Sequence, residues 1–192
     1  MASVDDPDDK LAETEGRPTA HVDLKVVTLE GKPAGPDEEG EIRVKGRQVF
    51  RGYVDASLDA DAFDEDGYFR TGDLGRQDAD GYVVITGRLK DIIIRKGENI
   101  SAKEVEDLLY THPKVADVAV IGLPDPQLGE RCCAVVASRD PADALGFEEM
   151  VSFLREQGLM NQKIPEQLEL VDTVPRNPSG KILKHVLREQ YS

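Results

Sequence analysis

The 192-residue sequence contains no tryptophan, only 5% aromatic residues, two cysteines and three histidines. Each scarcity removes a class of function. The two cysteines are adjacent in "RCCAVVAS" (131–138), and neighbours on a strand point to opposite faces, so Cys132 and Cys133 make no disulfide framework. Such usage predicts a reducing, cytoplasmic setting in which both thiols fill space as small apolar groups without catalytic duty. His21, His112 and His185 are far apart and without ligand spacing, which excludes a zinc pattern. Basic residues are short as well: 24 Lys and Arg face 38 Asp and Glu, for a net charge of −14. No basic stripe with interleaved aromatics offsets that balance, so nucleic acid and anionic membranes are excluded as general partners. No apolar run approaches the length of a membrane span, and the acidic "MASVDDPDDK" does not read as a signal peptide.

What remains is enough for a core. Hydrophobic residues make up 39% of the chain, sufficient for one domain or two small ones. The acidity is uneven, with 21 acids against 10 bases in residues 1–80 and 17 against 14 in residues 81–192. Residues 1–19 read as an irregular acidic segment. Residues 20–89 read as β-rich: "VDLKVVTL" partly alternates, "EIRVK" alternates cleanly and "YVVIT" follows, with the turn-rich "EGKPAGPDEEG" and "DADG" between them. A change of character near Leu89–Lys90 opens a second region, 90–192. There Ser101 and Glu104 make a capping-box pattern, Ile100 is placed to staple onto Val105, and Val105, Leu108 and Leu109 share a helical face that ends before Pro113. Two β runs, "VADVAVIG" and "RCCAVVAS", flank "LPDPQLGE". Phe147, Met150, Val151 and Leu154 then recur at helical spacing, with Gly158 as the stop. "QLELV" predicts a short strand, and Ile182, Leu183, Val186 and Leu187 predict a last helix. The sum is an α+β chain: a β-rich subdomain, then a small domain with a mixed sheet flanked by helices.

Chemistry concentrates in three stretches. In "VPRNPSGKILK" (174–184), Pro175, Pro178 and Gly180 spell a tight loop ahead of a helix. Lys181 is thereby expected at the helix start, where the positive dipole end disfavours a cation unless an anion is held there too. The stretch is not a Walker loop, because Ile182 follows Gly180–Lys181 and Pro175 stands where the first glycine is required. "GYFRTGDLG" (67–75) places Asp73 in a glycine-flanked turn. "GYVVITGRLKDIIIRKGENISAKEVE" (81–106) runs from a strand through a Gly–Arg corner and a glycine loop into the capped helix.

Their order, composition and spacing strongly resemble the adenylate-forming enzyme superfamily, and within it acyl-CoA synthetases of the fatty-acid–CoA ligase type. The resemblance extends from about Gly16 to the C-terminus. It implies a distorted, barrel-like β subdomain of a large adenylation domain at 20–89 and a mobile C-terminal domain at 90–192. It also implies a reaction: ATP activates a carboxylic acid to an acyl-adenylate with release of pyrophosphate, and a thiol then displaces AMP to form a thioester. By resemblance, Asp73 accepts hydrogen bonds from the ribose hydroxyls of ATP, Arg88 contacts the nucleotide, and Lys90 is the hinge. Lys181 would bridge the carboxylate and the phosphate during adenylation. "RKGENIS", with Gly97 and Glu98, would line the pantetheine channel during thioester formation. A lysine rather than an aspartate at the hinge favours CoA over a carrier protein as thiol acceptor. Mg2+ is expected with ATP, but no ligand for it is identifiable in this chain.

The departure from the family is large. Its Ser/Thr/Gly-rich phosphate loop, its Tyr–Gly–x–Thr–Glu-type motif and its acid pocket have no counterpart here. The expectation is therefore the C-terminal part of an acyl-CoA synthetase, inactive alone, whose adenylation domain lies in the same or a separate chain. The alternative is a stand-alone module that binds nucleotide, CoA or a protein without chemistry.

Overall fold

In the computed structural model, which describes residues 1–192, the chain divides after Lys90 into two units, Met1–Lys90 and Asp91–Ser192. The first contains α1 (Asp8–Glu13), β1 (Val22–Val27), β2 (Gly40–Gly46), the single-turn α2 (Asp59–Ala62), β3 (Phe69–Gln77) and β4 (Val83–Arg88). The strands form an antiparallel meander in the order β1-β2-β3-β4. Alternation drives it: Val26, Ile42, Leu74 and Val83 turn inward while Lys25, Lys45 and Arg76 stay at the surface. The expected barrel-like subdomain takes the form of an open, bulged sheet, with register shifts between Glu41 and Arg43 and between Leu74 and Gly75.

Two expectations need correction here. Residues 1–19 are irregular only in part, since they contain α1 and, at Glu15 and Gly16, pair with the start of β4. The Glu15 N–H donates to the Val83 carbonyl at 2.9 Å, and the Val83 N–H donates to the Gly16 carbonyl at 3.0 Å. Arg17 stacks 4.2 Å from the Tyr82 ring centroid and donates to its hydroxyl at 2.8 Å. Composition misses this because α1 buries nothing of its own; the segment is held by a strand it reaches only in the folded chain. Asp73, likewise, sits not in a turn but within β3. Its glycines bend the strand rather than end it: Gly72 has φ +70, a conformation that a side chain resists.

Asp64 is held between two cations of this unit, its side chain 7% exposed between Lys25 at 2.9 Å and Arg43 at 3.2 Å. Burial alone would raise its pKa, but the Lys25 ammonium, the Tyr68 N–H and the Arg43 guanidinium outweigh it and hold the group at about 2. A depressed carboxylate contributes stability that is present above its unfolded pKa, about 3.9, and is lost as pH falls towards 2. Acid titration of the chain followed by amide NMR should therefore show the first unit loosening in that window. Asp64→Asn should lower its stability at neutral pH and flatten the acid limb; an unchanged limb would remove Asp64 as its cause.

The second unit contains β5 (Ile92–Arg95), β6 (Glu98–Ser101), α3 (Ala102–Tyr110), β7 (Val115–Asp125), β8 (Gly129–Ser138), α4 (Phe147–Glu156), β9 (Gln167–Val171) and α5 (Lys184–Tyr191). β8 is its axis. β7 runs antiparallel along one edge from Val115↔Ser138 to Asp125↔Gly129, and β9 runs parallel along the other from Cys133↔Gln167 to Ala137↔Val171. The parallel pair makes the sheet mixed. β7 and β8 read as continuous apolar runs because both of their faces are covered. On one face Val118, Val120, Cys132 and Val136 meet Leu109 of α3 and Met150 and Leu154 of α4. On the other, Ile121, Leu123, Cys133 and Val135 meet Val174 and Leu187 of α5. The adjacent cysteines thus belong to different cores. Burial pushes the Cys133 thiol up to about 12 and Cys132 higher still, so neither is a nucleophile at neutral pH.

Candidate functional site

The expected site residues fall in two groups, one per unit. In the first, β3 and β4 place Asp73 directly opposite Arg88. Arg88 Nε lies 2.8 Å from Asp73 Oδ1, with the two side chains 45% and 26% exposed. The Thr71 hydroxyl braces the approach, donating to the Ile42 carbonyl at 2.7 Å and accepting from the Asp73 N–H at 3.0 Å. The strand pair therefore presents a carboxylate and a guanidinium side by side at the surface, complementary to a ligand carrying hydroxyls and phosphates. Lys90 follows in a single 3-10 turn, Leu89–Asp91, exposed at the end of the first unit.

In the second unit, Gly97 and Glu98 lie at a tight hairpin. Arg95 pairs with Glu98, so Lys96 and Gly97 alone make the turn, with φ of 50 and 84. Two successive positive φ values mark a type I′ turn, whose twist matches that of its strands. The Lys96 N–H donates to the Leu128 carbonyl at 2.8 Å and Arg95 pairs with Gly129, seating the hairpin on the β7–β8 turn. Nothing lies within 4 Å of where a Cβ on Gly97 would be, so its face is open.

Lys181 occupies a second small hairpin. The Asn177 side-chain oxygen accepts from the N–H of Ser179 at 3.1 Å, the hydroxyl of Ser179 at 2.8 Å and the N–H of Lys181 at 2.8 Å. Across the turn, the Asn177 N–H donates to the Lys181 carbonyl at 2.9 Å, and the Leu183 N–H donates to the Pro175 carbonyl at 2.8 Å. The helix start expected at Lys181 is thus displaced. Lys181, Ile182 and Leu183 form the returning arm of the hairpin, and α5 begins at Lys184. The dipole conflict expected for Lys181 passes to Lys184, while Lys181 projects from the loop, exposed.

Lys184 has partners there. Its ammonium lies 2.8 Å from Glu106 of α3 and 3.9 Å from Asp91, which also meets Arg188 at 3.3 Å. Burial pushes the Glu106 carboxyl above its ordinary range, while Lys184 pulls it back. On the other side of the loop, Arg176 grips Asp117 of β7 with a two-pronged contact at 2.8 and 2.9 Å. None of Glu106, Asp117, Arg176 and Lys184 stands out in the sequence, because these pairs span roughly sixty residues or more. Asn177 was findable: Asn ahead of Pro–Ser–Gly is a turn signature whose side chain caps the turn.

Geometry separates the two hairpins. The Gly97 hairpin is seated at the Asp125↔Gly129 end of the β7–β8 ladder and the Lys181 hairpin beside Asp117, near the other end. At ~3.3 Å per residue, those ends are about 25 Å apart. No group of three or more His, Cys, Asp or Glu residues is placed to hold a metal ion. No helix is long and apolar enough to cross a membrane.

Comparison with known proteins decides the family. The model of the AMP-binding enzyme C-terminal domain matches residues 104–181, and that of the AMP-binding enzyme itself matches residues 1–54. The chain belongs to the adenylate-forming, AMP-binding enzyme family. Among its relatives, the medium-chain fatty-acid–CoA ligase of Escherichia coli is 44% identical over 98% of this chain and 34% of that enzyme. The 2,3-dihydroxybenzoate-AMP ligase of Bacillus subtilis is 41% identical over 98% of the chain and 35% of that enzyme. Among solved structures, ATP-bound MatB from Rhodopseudomonas palustris superimposes with a TM-score of 0.85 at 38% identity, over 93% of this chain and 35% of that one. The chain therefore spans about a third of the length of the adenylate-forming relatives it matches. Their names cover both acyl-CoA and aryl-AMP ligases, so what they share is the adenylating ligase and its use of AMP-forming chemistry.

Proposed function

We propose that this chain is the C-terminal part of an ATP-dependent acid–thiol ligase. In it a carboxylate attacks the α-phosphate of ATP, expelling pyrophosphate, and the thiol of CoA then attacks the acyl carbon and expels AMP. The observation that carries this reading is the placement of the two loops at opposite ends of one rigid ladder. Loops about 25 Å apart on a single sheet do not serve one reaction centre together. A ligase with two successive half-reactions has a use for each.

In the adenylation step, Lys181 supplies a positive charge between carboxylate and phosphate, and Asp73 takes the ribose hydroxyls. Arg88, released from part of its contact with Asp73, meets the nucleotide. Magnesium arrives with ATP as part of the substrate. Lys90 is the pivot between the steps, and its exposed position at the unit boundary suits a residue whose backbone must turn. In the second step the open face of Gly97, with Glu98 beside it, lines the path of the pantetheine arm. The fatty-acid–CoA relative supports CoA as acceptor. The phosphate loop and acid pocket lie in a further portion of the protein or in a partner chain, so the 192 residues alone are inactive. The buried, unpaired thiols accord with a cytoplasmic enzyme.

The test is acid-dependent exchange of pyrophosphate into ATP by the full-length protein that carries this chain. Asp73→Ala should raise its KM for ATP roughly tenfold to a hundredfold, as expected when a site built to hydrogen-bond hydroxyls loses its acceptor. Exchange indifferent to Asp73 would remove Asp73 from the nucleotide site. No acid-dependent exchange by the full-length protein, with tight binding of ATP or CoA to the chain, would replace the ligase with a binding module.

A further inference from the structure

A hairpin as small as the one that carries Lys181 is marginal by itself. Its cross-turn bonds set its shape but not its place in the unit. Two charged anchors supply that, one on each side of the lysine. Before it, Arg176 spreads its guanidinium over Asp117, with Nη2 at 2.8 and 2.9 Å and Nε at 3.2 Å, and Nη1 donates to the Gly180 carbonyl at 2.6 Å. One side chain therefore ties β7 to the residue just before Lys181. Asp117 is held in turn, accepting from the Tyr110 hydroxyl at 2.5 Å and the Val118 N–H at 3.0 Å. After the lysine, Lys184 meets Glu106, and Glu106 also accepts from the Val120 N–H at 2.7 Å. Both anchors reach the same α3–β7 corner, from positions five residues before Lys181 and three after it.

We propose that Arg176–Asp117 and Lys184–Glu106 form a double clamp that positions Lys181, making these four side chains positioning residues for the adenylating lysine. The assignment rests on the ligase reading above. Lys184 is the more telling half. A lysine in the first turn of α5 opposes the helix dipole, and its side chain is only 13% exposed. Packing gives no reason for it, since α5 is secured by the apolar contacts of Leu187. A pair as buried as Lys184–Glu106, 13% exposed on each side, adds little to stability against an apolar substitute. The part the clamp gives it is selection of one loop arrangement, with the more exposed Arg176 contributing its two-pronged geometry. Selection is what a long, flexible lysine needs, because a displacement of about 1 Å from productive geometry costs on the order of a hundredfold in rate.

The clamp can be tested first in the 192-residue chain, by residue-resolved amide exchange. Asp117→Asn and Glu106→Gln should each speed exchange at the Lys181 and Leu183 amides roughly tenfold, as for loss of one charged hydrogen-bond anchor. The double variant should multiply the effects, while Val135 and Val136 in β8 keep their rates. Arg176→Lys, which keeps the charge and loses the fork, should fall between. Unchanged loop exchange in the double variant overturns the clamp. Equal acceleration in β8 makes the residues merely structural and overturns it too. In the full-length protein, the same variants should lower kcat for adenylation with KM for ATP unmoved and thioester formation from preformed acyl-adenylate preserved. If exchange rises but kcat holds where Lys181→Ala abolishes it, the positioning role falls. If Lys181→Ala itself leaves adenylation intact, the role given to Lys181 falls and the clamp has no adenylating lysine to position. Loss of adenylation from the unsubstituted full-length protein is what would overturn the ligase reading.

Discussion

Lys181→Ala in the full-length protein should slow acyl-adenylate formation about a hundredfold to a thousandfold, the ~3–4 kcal/mol typical of one preorganised charge on a developing anion. Thioester formation from preformed acyl-adenylate should continue near the wild-type rate. The reason is the separation of the two hairpins: the lysine loop stands beside Asp117, and the glycine hairpin, to which we assign the thiol step, is seated at the far end of the same ladder. Single-turnover measurement of each half-reaction decides it. Equal loss of both steps would mean that Lys181 supports the fold or binds a shared ligand, and the division of labour would be abandoned. The backbone gives little cause for a folding defect, since the Lys181 N–H and carbonyl bonds survive truncation of an exposed side chain.

Leu109→Ala should have the largest effect on stability. Leu109 is fully buried where α3 meets β7, and removing its isobutyl group leaves a cavity that these elements cannot close without breaking their register. Deletions of this kind cost about 2–5 kcal/mol. Urea unfolding followed at amides of the second unit should show the loss, with the amides of Met1–Lys90 as an internal control. A change below about 1 kcal/mol would mean that the corner repacks. The variant bears on function as well, because Tyr110 is the next residue and braces Asp117. Loosening the corner should loosen the Lys181 hairpin even though no clamp residue has been touched.

Much of the fold is legible in the chain because its signals are local. The Ser101 cap is observed, its hydroxyl accepting from the Glu104 N–H at 3.4 Å, and Ile100 and Val105 share one core. Glu104 also binds Lys163 at 2.6 Å, a partner 59 residues away that no local spacing suggests. The two β runs are longer than expected. Leu123 to Asp125 continue β7, and only three residues make the turn, because Pro124 tolerates an edge position and the ladder extends to Gly129. The helix after the lysine starts late for the opposite reason: a hairpin bond competes for the same backbone groups, and no periodicity records that competition.

The sequence by itself determined the strands β1, β2, β4 and β9, the helices α3 and α4, the apolar runs of β7 and β8 and, through the resemblance, the residues offered to a ligand; α1 and the strand that carries Asp73 escaped it. The elements depend on spacing within a dozen residues, where periodicity, turn chemistry and capping act directly, while the resemblance rests on three stretches between residues 67 and 184 taken together. Only the tertiary structure decided that Asp73 faces Arg88, that the Gly97 and Lys181 hairpins stand at opposite ends of one sheet, and that Lys181 is flanked by anchors on Asp117 and Glu106. Those facts come from strand register and from ion pairs between residues far apart in the chain. A charge carries no mark of its partner until the backbone brings the two within reach.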